Sequence, residues 1–299
     1  MTATIDTSPF TEEYSFESHF HDLNGLKYHY LHEGKDHSKE IGCALMVHGN
    51  PTWSFYYRNL AKSLSSSMQV VVPDHIGCGL SDKPQDYSYT VANHIQNLVE
   101  LVEKLDLNNI NLIVHDWGGA IGFGAAIKFP ERISTITVLN TAAFLIPKIP
   151  FSINICKIPI FGAIVIRGFN GFAGPAIKMA CKNQEKMTSQ IKQGYLAPYN
   201  NWHNRIATLR FVQDIPMHKS HPSWDTMKSI QDKIEILKDK PMHIFWGKKD
   251  FCFNDFFLEE WQKRFPNASV KEYAEAGHYV LEDANPEIIE DITSWISNQ

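Results

Sequence analysis

Leu112-Ile113-Val114-His115-Asp116-Trp117-Gly118-Gly119-Ala120 carries an apolar strand directly into a Gly/Ala-rich helix, with an acidic side chain at the bend. A sharp strand-to-helix turn of this kind lifts one side chain above the carboxyl end of a sheet. Asp116 stands at the apex, and Gly118 allows the turn to pack closely. Val114 stands two residues before the apex, where a glycine is usual, so the pattern is half met. Asp116 is also a good helix N-cap residue, and the stretch alone leaves both roles open.

Working outward, short apolar runs recur at Ala44–Val47, Val70–Pro73, Ile133–Leu139 and Met242–Trp246. Runs without alternation predict strands buried on both faces, hence a parallel sheet. Val91–Leu105 has helical spacing in Ile95, Leu98, Val99, Val102 and Leu105. Gly118–Phe129 predicts a helix packed closely on the sheet. Pro286–Ile296 predicts a terminal helix with proline at its first position. Ahead of this pattern, Glu17–Leu23 and Leu26–His32 alternate and meet at Asn24-Gly25, a hairpin signal. The residues up to about Tyr14 read as a loose tail. The result is a doubly wound α/β sheet of about eight strands, mostly parallel, with an antiparallel start.

The alternation stops between about Phe144 and Ser223, a stretch too long for a loop. It predicts an inserted helical cap over residues 144–223, between two parts of one core, 15–143 and 224–299. From Leu145 to Lys219 there are 10 Lys and Arg against 2 Asp and Glu, a local charge of +8. The whole chain carries 28 basic and 33 acidic side chains, a net charge of −5. A basic insertion on an acidic body either presents solvated helix faces or meets a membrane surface or an acidic partner.

Composition narrows the class. Of the 299 residues, 43% are apolar and 12% aromatic, which excludes disorder as the main state. The mild negative charge argues against a nucleic-acid binder. Cys43, Cys78, Cys156, Cys181 and Cys252 form no C-x-x-C pair and no disulfide framework, as in a reducing compartment. The start, Met1–Asp6, does not read as a signal peptide, and Ile149–Ile177 is interrupted by Lys157, Arg167 and prolines. These features predict a cytoplasmic protein. No metal-ligand spacing, phosphate loop or dinucleotide fingerprint occurs, so no cofactor is expected.

Three further elements join Asp116. Gly277-His278 follows the alternating run Val270–Tyr273, which places His278 on the loop after the last strand, where a base is expected. Asp250 follows the strand-Gly sequence Ile244-Phe245-Trp246-Gly247 and is positioned to orient the imidazole. Asn140-Thr141, the other strand end able to carry such an acid, offers no anion. His48-Gly49-Asn50-Pro51-Thr52 follows the first parallel strand, and Asn50 and Trp117 bring amide and indole N–H donors for an anion. A carboxylate attacking carbon forms an ester without first losing a proton, so histidine stays free to activate water afterwards. Substrates with an electrophilic carbon and an anionic leaving group fit: alkyl halides, epoxides, strained lactones.

These motifs, with Pro73-Asp74-His75-Ile76-Gly77-Cys78-Gly79-Leu80-Ser81-Asp82-Lys83-Pro84, resemble those of the haloalkane dehalogenases of the α/β-hydrolase fold. Trp53–Leu60, Arg167–Asn170 and Asn204–Pro216 are most similar to the β-lactone decarboxylases of bacterial long-chain olefin biosynthesis. The resemblance spans nearly the whole chain. It implies Asp116 as nucleophile, His278 as base, Asp250 as its acid, and Asn50 with Trp117 as anion donors. It also implies a cis-3,4-dialkyl oxetan-2-one that loses CO2 to give a cis-alkene. Hydrolysis of haloalkanes to alcohol and halide is the alternative, and the residues leave open which carbon Asp116 attacks. The expected partner is a small hydrophobic substrate, with other olefin-pathway enzymes or a membrane surface as further contacts. Phe144, Phe151, Ile153, Ile155, Ile158, Ile160, Phe161, Ile164, Phe169 and Phe172 supply the grease that long alkyl chains would need.

Overall fold

A computed structural model describes residues 5–37 and 42–299. The reading of Met1–Thr4 as part of a leaderless start lies outside the described residues. The frame is an eight-stranded sheet in the order β1-β2-β4-β3-β5-β6-β7-β8. The strands are β1 (Ser18–Leu23), β2 (Leu26–Glu33), β3 (Cys43–Val47), β4 (Gln69–Pro73), β5 (Ile110–Asp116), β6 (Ile133–Thr141), β7 (Met242–Gly247) and β8 (Ser269–Tyr273). β1 and β2 pair antiparallel, as do β2 and β4, and every other pair is parallel. Asn24 and Gly25 both take positive φ, 54° and 88°, as the hairpin turn requires.

The apolar runs become strands because both faces of the sheet are covered. In β3, Leu45 and Val47 enter one apolar cluster while Ala44 and Met46 enter the other. Helices α1 (Arg58–Leu64), α2 (Val91–Lys104) and α3 (Trp117–Ala126) alternate with the strands. Between β6 and β7 lie α4 (Phe151–Cys156), α5 (Pro159–Gly162), a wide turn at Ala163–Gly168, α6 (Ala173–Met179), α7 (Ser189–Leu196), α8 (Ile206–Gln213) and α9 (Trp224–Lys233). The last of these returns to α2 and α3 on the sheet. α10 (Asp255–Arg264), α11 (Val280–Asp283) and α12 (Glu287–Ser297) complete the chain.

Three expectations change. The described part of the segment up to Tyr14 is not loose. Phe10 and Tyr14 are buried against Trp53 and Phe55, and the Tyr14 hydroxyl lies 2.6 Å from Ser54 Oγ. Two aromatic rings and a satisfied hydroxyl outweigh the ordering entropy of a short polar segment. Pro286 caps α12 from outside instead of opening it. Six of the ten apolar side chains expected to serve the substrate are exposed instead: Phe151, Ile158, Ile160, Phe161, Ile164 and Phe169. The inner side of these short helices is already filled by Ile153, Cys156 and Ile166 packed on Leu209 and Val212.

Candidate active site

The site begins at a strained residue. Asp116 closes β5 with φ 51° and ψ −126°, a conformation that a non-glycine residue holds only at a cost. The turn is possible because α3 approaches β3 through Gly118, where an added Cβ would lie 1.9 Å from the Val47 carbonyl oxygen. Gly49 has the same function on the facing loop, since a Cβ there would lie 2.1 Å from Asp116 Oδ1. The Asp116 side chain does not cap α3. It turns to the facing loop, where the Asn50 backbone N–H donates to Oδ1 over 2.7 Å. The Thr141 hydroxyl donates to the Asp116 carbonyl and steadies the bend from β6.

The loop after β8 brings His278 to Asp116. His278 Nε2 lies 3.6 Å from Asp116 Oδ2, and its Nδ1 lies 2.7 Å from Asp250 Oδ2. The other Asp250 oxygen accepts the backbone N–H groups of Cys252 and Phe253 at 2.7 and 3.1 Å. Asn140 does not take part. Both ends of its amide bond the backbone of Gly247 and tie β6 to β7. The structure therefore brings Asp116, His278 and Asp250 together, all buried.

Burial raises the Asp116 carboxyl above the ordinary range, and His278 and the Asn50 and Trp117 amides counter that rise in part. Burial works against the charged form of His278, but Asp250 foremost and then Asp116 overcome it and hold the imidazole above the usual histidine range. Replacing Asp250 by asparagine removes the stronger of those two carboxylates. The His278 imidazole then titrates at lower pH than in the parent, measured by histidine NMR; an unchanged or higher midpoint would contradict the assignment.

The two side chains expected to bind an anion sit at the same place. Asn50 and Trp117 both border the cavity above Asp116. Asn50 Nδ2 donates to the Thr208 carbonyl at 3.3 Å, which leaves its second amide hydrogen for a ligand. No hydrogen bond among the described residues uses the Trp117 indole N–H. Sequence reasoning missed His115, whose Nε2 lies 2.9 Å from the His278 carbonyl and whose ring lies 4.5 Å from the imidazole. Its position one residue before the apex was the available signal. It also missed Cys252 and Phe253, whose backbone N–H groups hold Asp250.

Two apolar hollows open from Asp116, of about 770 and 610 Å³ out to their mouths. They share Asn50, Asp116, Ile153, Phe172 and Cys252 and then diverge. One runs between Phe144, Ile149, Val212 and Phe257, the other between Pro175, Ala176 and Met179.

Residues 45–285 match the α/β-hydrolase fold family. The chain belongs to that family. Among curated members of this α/β-hydrolase family, it is 44% identical to the cis-3-alkyl-4-alkyloxetan-2-one decarboxylase of Shewanella oneidensis, over 94% of this chain and 89% of that one. It is 36% identical to the enzyme of the same name from Xanthomonas campestris, over 91% of this chain and 93% of that one. A solved α/β-hydrolase, the haloalkane dehalogenase DbeA of Bradyrhizobium elkani, superposes with a TM-score of 0.84 at 22% identity, covering 95% and 98% of the two chains. That likeness establishes the shared fold.

Proposed function

We propose that this α/β-hydrolase is a β-lactone decarboxylase. It converts a cis-3,4-dialkyl oxetan-2-one into a cis-alkene and CO2, with Asp116 as nucleophile, His278 and Asp250 as its base–acid pair, and Asn50 and Trp117 as anion donors. The observation that carries this reading is the pair of apolar hollows meeting at one carboxylate. A substrate with one alkyl chain fills one of them; a ring bearing two chains on adjacent carbons fills both. The identity to the two curated decarboxylases supports the same substrate class.

The chemistry balances without water. An Asp116 oxygen attacks the ring carbon that bears the ring oxygen. The C–O bond breaks with its electron pair going to oxygen, and a carboxylate is freed on the neighbouring carbon. The bond from that carbon to the carboxylate then breaks, and its pair forms the alkene. The ester bond returns its pair to Asp116, so CO2 leaves and the carboxylate is restored. Inversion at the attacked carbon followed by anti elimination gives the cis-alkene. Asn50 and Trp117 face the carboxylate as it is released.

One observation favours a second reading, hydrolysis of haloalkanes. His278 Nε2 stands 3.6 Å from Asp116 Oδ2, within reach of a water attacking an ester formed there, and His278 then acts as general base. Purified protein given a dialkyl β-lactone is expected to release alkene and CO2. A β-hydroxy acid in place of alkene, or halide release from bromoalkanes outpacing lactone turnover, would replace the first reading with the second. In either case Asp116 must be ionised. Because its carboxyl is raised, kcat/KM falls on the acid side through a midpoint above the ordinary aspartate range. A pH profile flat down to the range of free aspartate would contradict this.

The lid we assign is residues 144–223, since α9 already packs on the body. The body begins before residue 15, because Phe10 belongs to it. Among the described residues no single helix is long and apolar enough to cross a membrane. The five thiols are all free, which supports a cytoplasmic location. A product that does not dissolve in water would favour contact with pathway enzymes or with a membrane.

A further inference from the structure

We propose that the outer face of α4, α5 and the turn after them docks on an anionic lipid bilayer and opens the active-site cavity onto it. Eight of the eleven exposed large apolar side chains among the described residues lie between Phe151 and Trp202. Phe151 and Phe169 are each 79% exposed and Ile160 is 77% exposed. Isolated surface hydrophobes are ordinary, but six of these eight fall between Phe151 and Phe169, and such a concentration marks an interaction surface. The inner face of the same stretch is apolar too and rests on α8. A helix that is greasy all round belongs in a core or in lipid.

Charge selects the occupant. Between Phe151 and Gln213 the only carboxylate is Glu185, against Lys157, Arg167, Lys178, Lys182, Lys186, Lys192, Arg205 and Arg210. The Arg167 guanidinium lies over the exposed Trp202 ring, 4.6 Å from its centre, which places a cation and an aromatic together. A second copy of this face would set like charges against each other. An anionic headgroup layer complements both the greasy and the basic components.

Geometry fixes the depth. Pro159–Gly168 and Ala173–Met179 meet at 76°. At 1.5 Å per residue the longer piece spans about 15 Å, half of the ~30 Å hydrocarbon core, so the segment lies in the interface and does not cross. The exposed Phe151 sits between Pro150, at the first hollow, and Ser152, at the second. A water-insoluble substrate or product can therefore pass between bilayer and cavity beside α4. This last point rests on the lactone reading, whereas the docking itself does not.

Flotation of the 299-residue protein with buffer-filled vesicles through a sucrose gradient tests the docking without substrate. Vesicles of phosphatidylglycerol and phosphatidylcholine are expected to carry the protein at low salt. Pure phosphatidylcholine vesicles, or high salt, should carry far less. The double variant Ile160→Ser, Ile164→Ser is expected to lower the partition coefficient about tenfold or more. Both positions are exposed and away from the cavity, so its circular dichroism and turnover of a short, water-soluble β-lactone should match the parent. No flotation on anionic vesicles would overturn the proposal. So would flotation unaffected by the double variant, or a dimer or complex with an acidic protein that the variant abolishes while vesicle binding persists. Should vesicles bind normally but no lactone react, the docking stands and the lactone reading fails.

Discussion

Asp116→Ala is expected to lose at least about 10⁴ in kcat on a dialkyl β-lactone, because no other group near the cavity can form the covalent bond. The neighbours cannot take over. His278 Nε2 faces the missing carboxylate, Asp250 is turned to the imidazole and two amides, and the Cys252 thiol is pushed well up by burial and by Asp250 and Asp116. The fold should tolerate the change, since the Asp116 side chain meets only the Asn50 and Trp117 backbone amides, and relief of burial offsets their loss. Asp116→Asn keeps the shape but lacks the nucleophilic charge, and the same collapse is expected. Turnover within tenfold of the parent in either variant, with unchanged thermal stability, would show that the carboxylate is a structural element and that the lactone is opened elsewhere.

Arg58→Ala is expected to destabilise the fold by about 3–5 kcal/mol. The Arg58 guanidinium is buried and bonds both oxygens of Glu282, which is itself buried on α11, just behind the His278 loop. It also bonds Glu13 in the N-terminal segment at 3.0 Å and the Phe55 carbonyl at 3.2 Å. Glu282 in turn accepts the Tyr195 hydroxyl of α7 at 2.5 Å, so one carboxylate joins the lid to the body. Burial works against the charged guanidinium, but Glu282 outweighs it and keeps Arg58 protonated. Truncation leaves the Glu282 carboxylate buried without its cation, and the transition should fall by roughly 5–8 °C. Adding Glu282→Gln should recover part of the loss in a double-mutant cycle. A melting temperature within a degree of the parent would mean that solvent reaches Glu282 and that the network is not a clamp.

The sheet and the meeting of Asp116, His278 and Asp250 were legible in the sequence. Uninterrupted apolar runs mean burial on both faces, Asn24-Gly25 means a tight hairpin, and an acidic residue between a strand and Gly118 means an elbow. The placement of His278 after the last strand and of Asp250 after β7 follows from the order of the elements, because parallel strands put their following loops at one end of the sheet. Other features were not legible. Phe10 and Tyr14 look like tail residues until Trp53 and Phe55 are placed beside them. The pair Arg58 and Glu282 are 224 positions apart, and nothing local marks either as buried.

Chain order and side-chain periodicity thus dictated the architecture and which groups meet, since both are short-range properties of a polypeptide. The lid was decided in three dimensions. Its isoleucines and phenylalanines read alike along the chain. Packing of α4 and the following turn against α8 turns Ile153 inward and leaves Phe151, Ile160 and Phe169 in solvent. The division of the cavity into two arms at Ile153 and Phe172 arises in the same way, because a hollow is a relation between elements and belongs to none of them.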